Sequence, residues 1–441
     1  MKPAFTEKRS NDFTPEIYRN KISKNLSRPV MTIILSAALL FMIAFNVNAA
    51  GRSSARGVAM GQAFIGLAAG VDAARYNPAN LGFSGYRESG FELVGIGADI
   101  SNNSFTLDDY NRYTGALLSD RDKEIILDDI PAEGLNLVAD IEASALSLSN
   151  GSFVFSVSGI GLADVILNKD IIDLILNGNS LADTIDLNGS HLDAVGFVSA
   201  GFSYGRTIYN TEHRQIAVGG TFKYLRGLAV EQIVALEGKL ATNETGFGGK
   251  GRLIARTAEG GSGYAFDIGA AVRINNKYTV GVRFENLLSS LRWNRNPEEH
   301  GYIFSFDTMT VDNMSDDYVV SDDYRRGIPA FSTNLPSTIN LGIARTTGSL
   351  LWAVDWHQGF RRAAGSSSKP RLSFGIEWWP LTSFPLRCGF STGGHKNTSF
   401  SFGSGINTSF FYTDLAIVTG TAITPYSAKE LNFAVTTGIR F

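Results

Sequence analysis

The amino-acid sequence predicts an all-β protein, a transmembrane antiparallel up-and-down β-barrel of about fourteen strands. Three observations predict it. The last stretch, Glu430 to Phe441, puts Leu431, Phe433, Val435, Ile439 and Phe441 on one parity and Asn432, Ala434, Thr436, Gly438 and Arg440 on the other. A strand there has one apolar face and one polar or small face. About fourteen such alternating segments recur, an even number, as barrels of this kind require. The connections between them alternate in length, which sets short turns on one rim of a barrel and long loops on the other. A soluble sandwich, the alternative for the final strand taken alone, has no reason to keep that rhythm.

The chain opens on an export signal. Lys21, Lys24 and Arg28 precede an uncharged apolar run from Val30 to Phe45, and Val47, Asn48, Ala49 and Ala50 form a small-residue cleavage site. Residues 1–50 are read as a signal peptide. An uncleaved inner-membrane anchor is the alternative, because the run is long enough to span. No cysteine directly follows it, which excludes a lipid anchor there. No later segment approaches a spanning helix, so the exported chain is expected in the cell outer membrane, its short turns facing the periplasm.

Residues 51–87 differ in texture from the rest of the chain. Arg52 to Gly85 is crowded with glycine and alanine and carries few large side chains, which suits backbone packed in a confined space. Asn77 and Pro78 fit an N-cap and a first helical position, and Gly82 fits a stop. The run Ser54 to Phe83, with its Ala-Arg-Gly, Met-Gly-Gln-Ala-Phe and Tyr-Asn-Pro-Ala-Asn-Leu-Gly blocks, resembles the N-terminal hatch of FadL-type transporters of hydrophobic compounds and their PorV-like relatives. The resemblance is to an uncharacterised branch and extends to Leu335–Phe360 and Arg371–Phe390. It implies a plug inside the barrel, gated at Asn77, Pro78 and Ala79, where the family's Asn-Pro-Ala motif falls.

Residues 88–441 are read as the barrel itself. Alternating segments fall roughly at 88 to 103, 138 to 149, 152 to 164, 194 to 208, 213 to 230, 262 to 274, 277 to 293, 335 to 347, 349 to 360, 370 to 380, 385 to 394, 397 to 408, 409 to 420 and 429 to 441. The clearest sets Tyr264, Phe266, Ile268, Ala270, Val272 and Ile274 against Ala265, Asp267, Gly269, Ala271 and Arg273. Asn150-Gly151, Asn275-Asn276 and Gly348 mark short turns. The long excursions, about 104 to 137, 165 to 193, 231 to 261 and 294 to 334, are expected as extracellular loops. The inward parity would carry Lys223, Asp267, Arg273, Arg283, Glu285, Asp355, His357, Arg371, Glu377, Arg387 and Arg440. Such charges suit an ion-pair network that holds the hatch, or else a charged solute path.

Three further features invite a functional reading. Gly159 and Gly161 sit in the middle of the third strand, where glycine weakens the ladder and marks a bend or bulge. The resemblance implies a kinked strand opening sideways into the membrane there; relief of crowding against the plug is the other reading. Lys169 to Asn179 has a helix pattern whose Ile171, Ile172, Leu174 and Ile175 spread over more than one face, either a capture patch for an apolar ligand or the inside of a loop cap. Phe441 supplies a terminal aromatic, expected to be the insertion signal read by the barrel assembly machinery.

Composition closes off other classes. Gly 47, Phe 29 and charged 18% describe a β-rich chain with tight turns and modest surface charge, and a net charge of -3 without a dense basic stretch argues against a nucleic-acid partner. Cys388 is the single cysteine and the five histidines show no paired spacing, so neither a metal nor a cofactor is expected. The acidic residues Asp108, Asp109, Asp120, Asp122, Asp128, Asp129, Asp316, Asp317, Asp322 and Asp323 follow no calcium-loop spacing. Gly201–Gly205 and Gly389–Gly393 fit G-x-S-x-G but lie in strands, without the strand, turn and helix of a nucleophile elbow. The expectation is a non-enzyme and a monomer, set among outer-membrane lipid and lipopolysaccharide. It would mediate passive uptake of hydrophobic small molecules, such as long-chain fatty acids, through a hatch-gated lumen. The alternatives are a PorV-like barrel that transports nothing and receives or tethers exported proteins, and a purely structural envelope barrel.

Overall fold

A computed structural model describes residues 53–86, 88–178, 184–243, 246–309, 319–394 and 398–441. The leader expected at residues 1–50 lies outside them, as do His395, Asp316 and Asp317. The strands are β1 (Gly90–Asn102), β2 (Leu135–Asn150), β3 (Phe153–Leu167), β4 (Thr184–Asp186), β5 (His191–Asn210), β6 (Arg214–Asn243), β7 (Gly246–Ile274), β8 (Tyr278–Met309), β9 (Val319–Gly327), β10 (Phe331–Thr333), β11 (Thr338–Thr347), β12 (Leu350–Gly359), β13 (Arg371–Leu381), β14 (Phe384–Gly393), β15 (Thr398–Asn407), β16 (Phe411–Gly420) and β17 (Glu430–Arg440).

All but β4, β9 and β10 form one ring of about 14 strands. Each strand is antiparallel to its neighbour, and β17 closes on β1 with Gly90 opposite Arg440. Closure removes the free edge that an open sheet would present. Alternation sets the two faces. On β13, Leu372, Phe374 and Trp378 are exposed while Ser373 and Glu377 are buried; on β17, Leu431 and Phe433 face out and Asn432 and Thr436 face in. Between β7 and β8 a three-residue turn, 275–277, joins Ile274 to Tyr278, and Asn275 and Asn276 both take left-handed backbone there, with φ 49 and φ 55, which asparagine tolerates.

Two of the expected loops are sheet instead. β6 and β7 stay paired from Arg214–Ile274 out to Asn243–Gly246, and β8 runs on to Met309 with β9 returning beside it. The span 231 to 261 is thus an extended hairpin, and most of 294 to 334 is strand. The reason lies in the glycines of β7. Gly249 and Gly251 read as loop in sequence, but they leave room for the rings of Phe306 and Phe304, which close over them together with Leu240 and Ile185.

Residues 53–86 are almost wholly buried and run past the inward faces of strands all round the ring. The segment contains short helices α1 (Ala55–Ala59) and α2 (Gly70–Tyr76), then a single turn at Pro78–Gly82. Ser54 caps α1 by accepting from the Gly57 N–H, and Asn77 caps the turn by accepting from the Ala79 N–H. Asn80 ties the segment to itself, donating to the carbonyls of Ile65 and Ala68.

Candidate functional site: a cavity in the lumen

The N-terminal segment is fixed to the wall by charge and by close backbone approach. Asp355 on β12 accepts from the N–H groups of Phe64 at 2.6 Å and Ile65 at 2.8 Å. Arg56 makes a two-pronged pair with Glu377, 2.7 and 2.8 Å, and Glu377 also accepts from Arg387 Nε at 2.6 Å. Arg387 Nη1 in turn reaches Asp414 at 2.6 Å, so charges alternate along a buried chain. On the far side of the segment, Arg75 pairs with Glu92, and lies 3.3 Å from Asp72 and 3.7 Å from Glu142. Burial works against the Arg75 guanidinium, but these carboxylates outweigh it and raise its pKa. For Asp72 burial wins: with Arg75 opposing and Glu92 adding, its carboxyl is raised to about 6.

Above this segment, toward the long-loop end, the lumen holds a cavity of about 230 Å³. Ala74 and Arg75 form its floor, and Leu335, Pro336 and Gly365 lie along its roof. Ile160, Leu162 and Phe197 give it an apolar side; Lys223, Arg283, Glu285, Thr338 and His357 give it a polar one. A bulge makes the polar side. β7 and β8 slip register between Phe266 and Ile268, and Asn286 takes φ 51 there. Asn286 thereby donates its main-chain N–H to Asp267 and its Nδ2 to the Pro336 carbonyl, and accepts from Lys223 Nζ at 3.1 Å. The cations of the lining are matched by carboxylates. Arg283 reaches Asp267 at 2.6 Å and Glu285 at 3.1 Å, and Lys223 reaches Asp267 at 2.9 Å. With its charges paired internally, the site offers an incoming solute an apolar wall and hydrogen-bonding groups rather than a naked charge.

The residues singled out from sequence fall in different places. Asn77, Pro78 and Ala79 are buried against glycines of four neighbouring strands, Gly205, Gly219, Gly269 and Gly281. Asn77 Nδ2 also donates to the Ala270 carbonyl at 3.3 Å. Gly159 and Gly161 are on the outward parity of β3, whose inward neighbours Ser158, Ile160 and Leu162 line the cavity. Their ladder is continuous on both sides: Gly159 lies between Ala143 and Val198, Gly161 between Ile141 and Gly196. On its outward face the wall carries no side chain at Gly159, Gly161 or Gly196. Ile171 is buried, Leu174 packs against the cluster of Ile185, Leu240, Phe304 and Phe306, Ile172 is half-buried and Ile175 is exposed. Phe441 is exposed beside Phe91, ring centroids 5.6 Å apart.

Sequence reasoning missed the roof. Leu335 and Pro336 were read as the start of an alternating strand but lie in the connection before β11, and Gly365 lies in a connection without periodicity, so nothing local marks them as the roof.

Residues 78–258 match a family described as a family of unknown function, DUF5723. No curated protein matches the chain. Among solved structures the chain is similar to the toluene transporter TodX of P. putida, with 14% identity over 87% of this chain and 97% of that one and a TM-score of 0.48. It is similar to the Ralstonia pickettii toluene transporter TbuX, with 13% identity, the same coverage and a TM-score of 0.48. A Pseudomonas aeruginosa FadL homologue is similar at 11% identity, over 87% of this chain and 97% of that one, with a TM-score of 0.45.

Proposed function

We infer that this chain is an outer-membrane barrel for passive uptake of hydrophobic small molecules, with the segment around residues 53–86 acting as a hatch. The observation that carries the reading is the cavity itself, half apolar and charge-balanced, held between the buried segment and the outer connections. An apolar cavity of about 150 Å³ accommodates benzene. The larger space here takes one substituted ring or the end of an acyl chain; a long-chain fatty acid would extend past it. A bound molecule would leave downward if the hatch near Asn77–Ala79 shifts, or sideways through the bare backbone at Gly159 and Gly161. Short turns would face the periplasm and the long connections the medium.

The reading of a non-transporting barrel that tethers exported proteins draws on a different observation, the sheet of β6, β7, β8 and β9 that continues beyond the ring. One experiment separates the two. The protein is purified in mild detergent and its bound lipids identified by mass spectrometry, and uptake of labelled apolar compounds is compared in wild type, Asn77→Ala and Gly161→Val. Transport predicts a co-purifying apolar molecule and altered uptake in at least one variant. No bound molecule and unchanged uptake in both would replace transport with tethering.

A further inference from the structure

We propose that the connection between β12 and β13, residues 360–370, is the outer door of the lumen, a strap across the barrel mouth latched to β3 through Arg362. The proposal rests on the reading that solutes traverse the lumen.

The topology makes the contact unusual. Between β3 and β13 lie β5, β6, β7, β8, β11 and β12 on one side and β14, β15, β16, β17, β1 and β2 on the other, so the two strands stand on opposite walls. The tip of the strap nevertheless touches the far wall. Ala363 and Ser366 exchange main-chain hydrogen bonds at 3.1 and 2.9 Å, and Gly365, at φ 77, completes a tight hairpin that only glycine adopts readily. Arg362 donates from Nε and Nη2 to the two oxygens of Asp164 at 2.8 and 2.7 Å, and from Nη2 to Asn136 at 2.9 Å. The Ala364 N–H donates to Asp193 at 3.3 Å. Gly365 lies against Leu162 and so roofs the cavity.

The root of the strap is held separately. Gly359 N–H donates to the Ser367 carbonyl at 3.1 Å, Phe360 N–H to the Ser337 carbonyl at 3.1 Å, and Arg361 to the Asn334 carbonyl at 2.6 Å. The hydrogen bonds to the far wall come from Arg362 and Ala364 and the packing against Leu162 from Gly365, all at the tip, so they are lost together when the tip lifts while the root stays. The latch is also the pair best placed to part. Asp164 is fully buried but the Arg362 side chain is 37% exposed, whereas the arginines that hold the N-terminal segment, Arg56 on Glu377 and Arg75 on Glu92, are 21% and 10% exposed. A guanidinium already in contact with water recovers its hydration as the pair separates; one more deeply enclosed recovers less. The strap should therefore open while the hatch stays docked.

The test uses a cysteine inside the cavity, Ser158→Cys, in a Cys388→Ser background. A charged, membrane-impermeant methanethiosulfonate reagent is added to intact cells. Labelling is expected to be slow with the latch intact. In Arg362→Ala and Asp164→Asn it should quicken by about ten- to a hundredfold, the change in open population that a charge-assisted pair sustains. The exchange Arg362→Asp with Asp164→Arg should slow it again, and Arg121→Ala, which breaks an ion pair elsewhere on the outer loops, should leave it at the wild-type rate. A strap shortened by replacing residues 361–367 with two glycines guards against misfolding of the point variants, each barrel being checked by its mobility shift on boiling. Equal labelling rates in wild type and every strap variant would overturn the proposal. Uptake of a labelled apolar compound is followed in the same cells: faster labelling with unchanged uptake leaves the door standing and removes the transport reading beneath it.

Discussion

Replacing Glu377 by Gln should release the N-terminal segment without opening the barrel. Glu377 stands between two arginines in that chain of contacts: it binds Arg56 of the segment through both oxygens and Arg387 of β14 through one. The amide keeps the shape and removes the charge. Arg387 retains Asp414 at 2.6 Å, whereas Arg56 loses the opposing charge and one of its two acceptor oxygens, where the amide nitrogen now faces it. Removing one partner of a buried pair costs about 3–5 kcal/mol. The Arg56 side chain is 21% exposed, which argues for the lower end, about 3 kcal/mol, and hence for an undocked population roughly a hundredfold larger. Trypsin provides the readout, because Arg56 is itself a cleavage site that docking hides. When opening and closing outrun cleavage, the rate of cutting follows the undocked population. Cutting after Arg56 should therefore accelerate by about two orders of magnitude in Glu377→Gln, with the thermal transition of the barrel nearly unmoved. A cleavage rate within about threefold of wild type would show that the pair does not hold the segment, and the electrostatic account of its docking would fail.

Three other expectations can be checked with similar means. Gly219→Val would set a Cβ 2.4 Å from the Pro78 carbonyl, an overpacking that costs about 1–3 kcal/mol, whereas Gly196→Val points into open space outside the ring; tryptic cutting should quicken only in the first. Docking should strengthen as pH falls from about 6 toward 4. Asp72, raised to about 6 from 3.8, takes up a proton in that window when docked and not when solvated, so the docked state gains up to about 3 kcal/mol on acidification and loses it as pH rises. Asp72→Asn should flatten that profile of cleavage against pH, and an unaltered profile would assign the proton elsewhere. Deleting Phe441 removes one main-chain hydrogen bond, to the Ser89 carbonyl, and an exposed ring, too little to weaken the folded ring of strands. Insertion into membranes should fall several-fold while refolding in detergent stays normal; equal losses in both would make the residue a clamp rather than a signal.

The ring was legible because a barrel strand writes its two environments in alternation. Leu372, Phe374 and Trp378 against Ser373 and Glu377 state the register of β13 without any knowledge of its neighbours, and the same holds for β17. The inward charges were legible for the same reason, but their partners were not. Arg56 and Glu377 are separated by 321 residues, and Arg362 and Asp164 by 198, and no local pattern encodes which carboxylate a guanidinium will meet. The outer extension of β6 to β9 was missed because its strands trade side-chain bulk unevenly. Phenylalanines on β8 fill space that glycines on β7 vacate, so neither strand alternates cleanly.

Glycine also explains how the segment and the wall came to fit, and here the sequence holds more than its strand pattern reveals. Cβ atoms added at Gly403, Gly375, Gly389, Gly342, Gly281, Gly269, Gly219 and Gly205 would strike Ala59, Met60, Gly61, Ile65, Asn77 and Pro78, several at 2.1 to 2.9 Å. Each of these glycines lies in a ring strand, where a glycine ordinarily weakens the ladder by leaving nothing to pack. Here the missing side chain is replaced by the segment itself, by its backbone at Gly375, Gly389, Gly219 and Gly205 and by the side chains of Ala59, Ile65 and Asn77 at Gly403, Gly342, Gly281 and Gly269. Going round the ring from β15 through β14, β13, β11 and β8 to β7, β6 and β5, these positions trace the segment's course from Ala59 to Pro78. The loss of strand propensity is offset only while the segment is docked. A ring built on these strands is therefore less stable empty than filled.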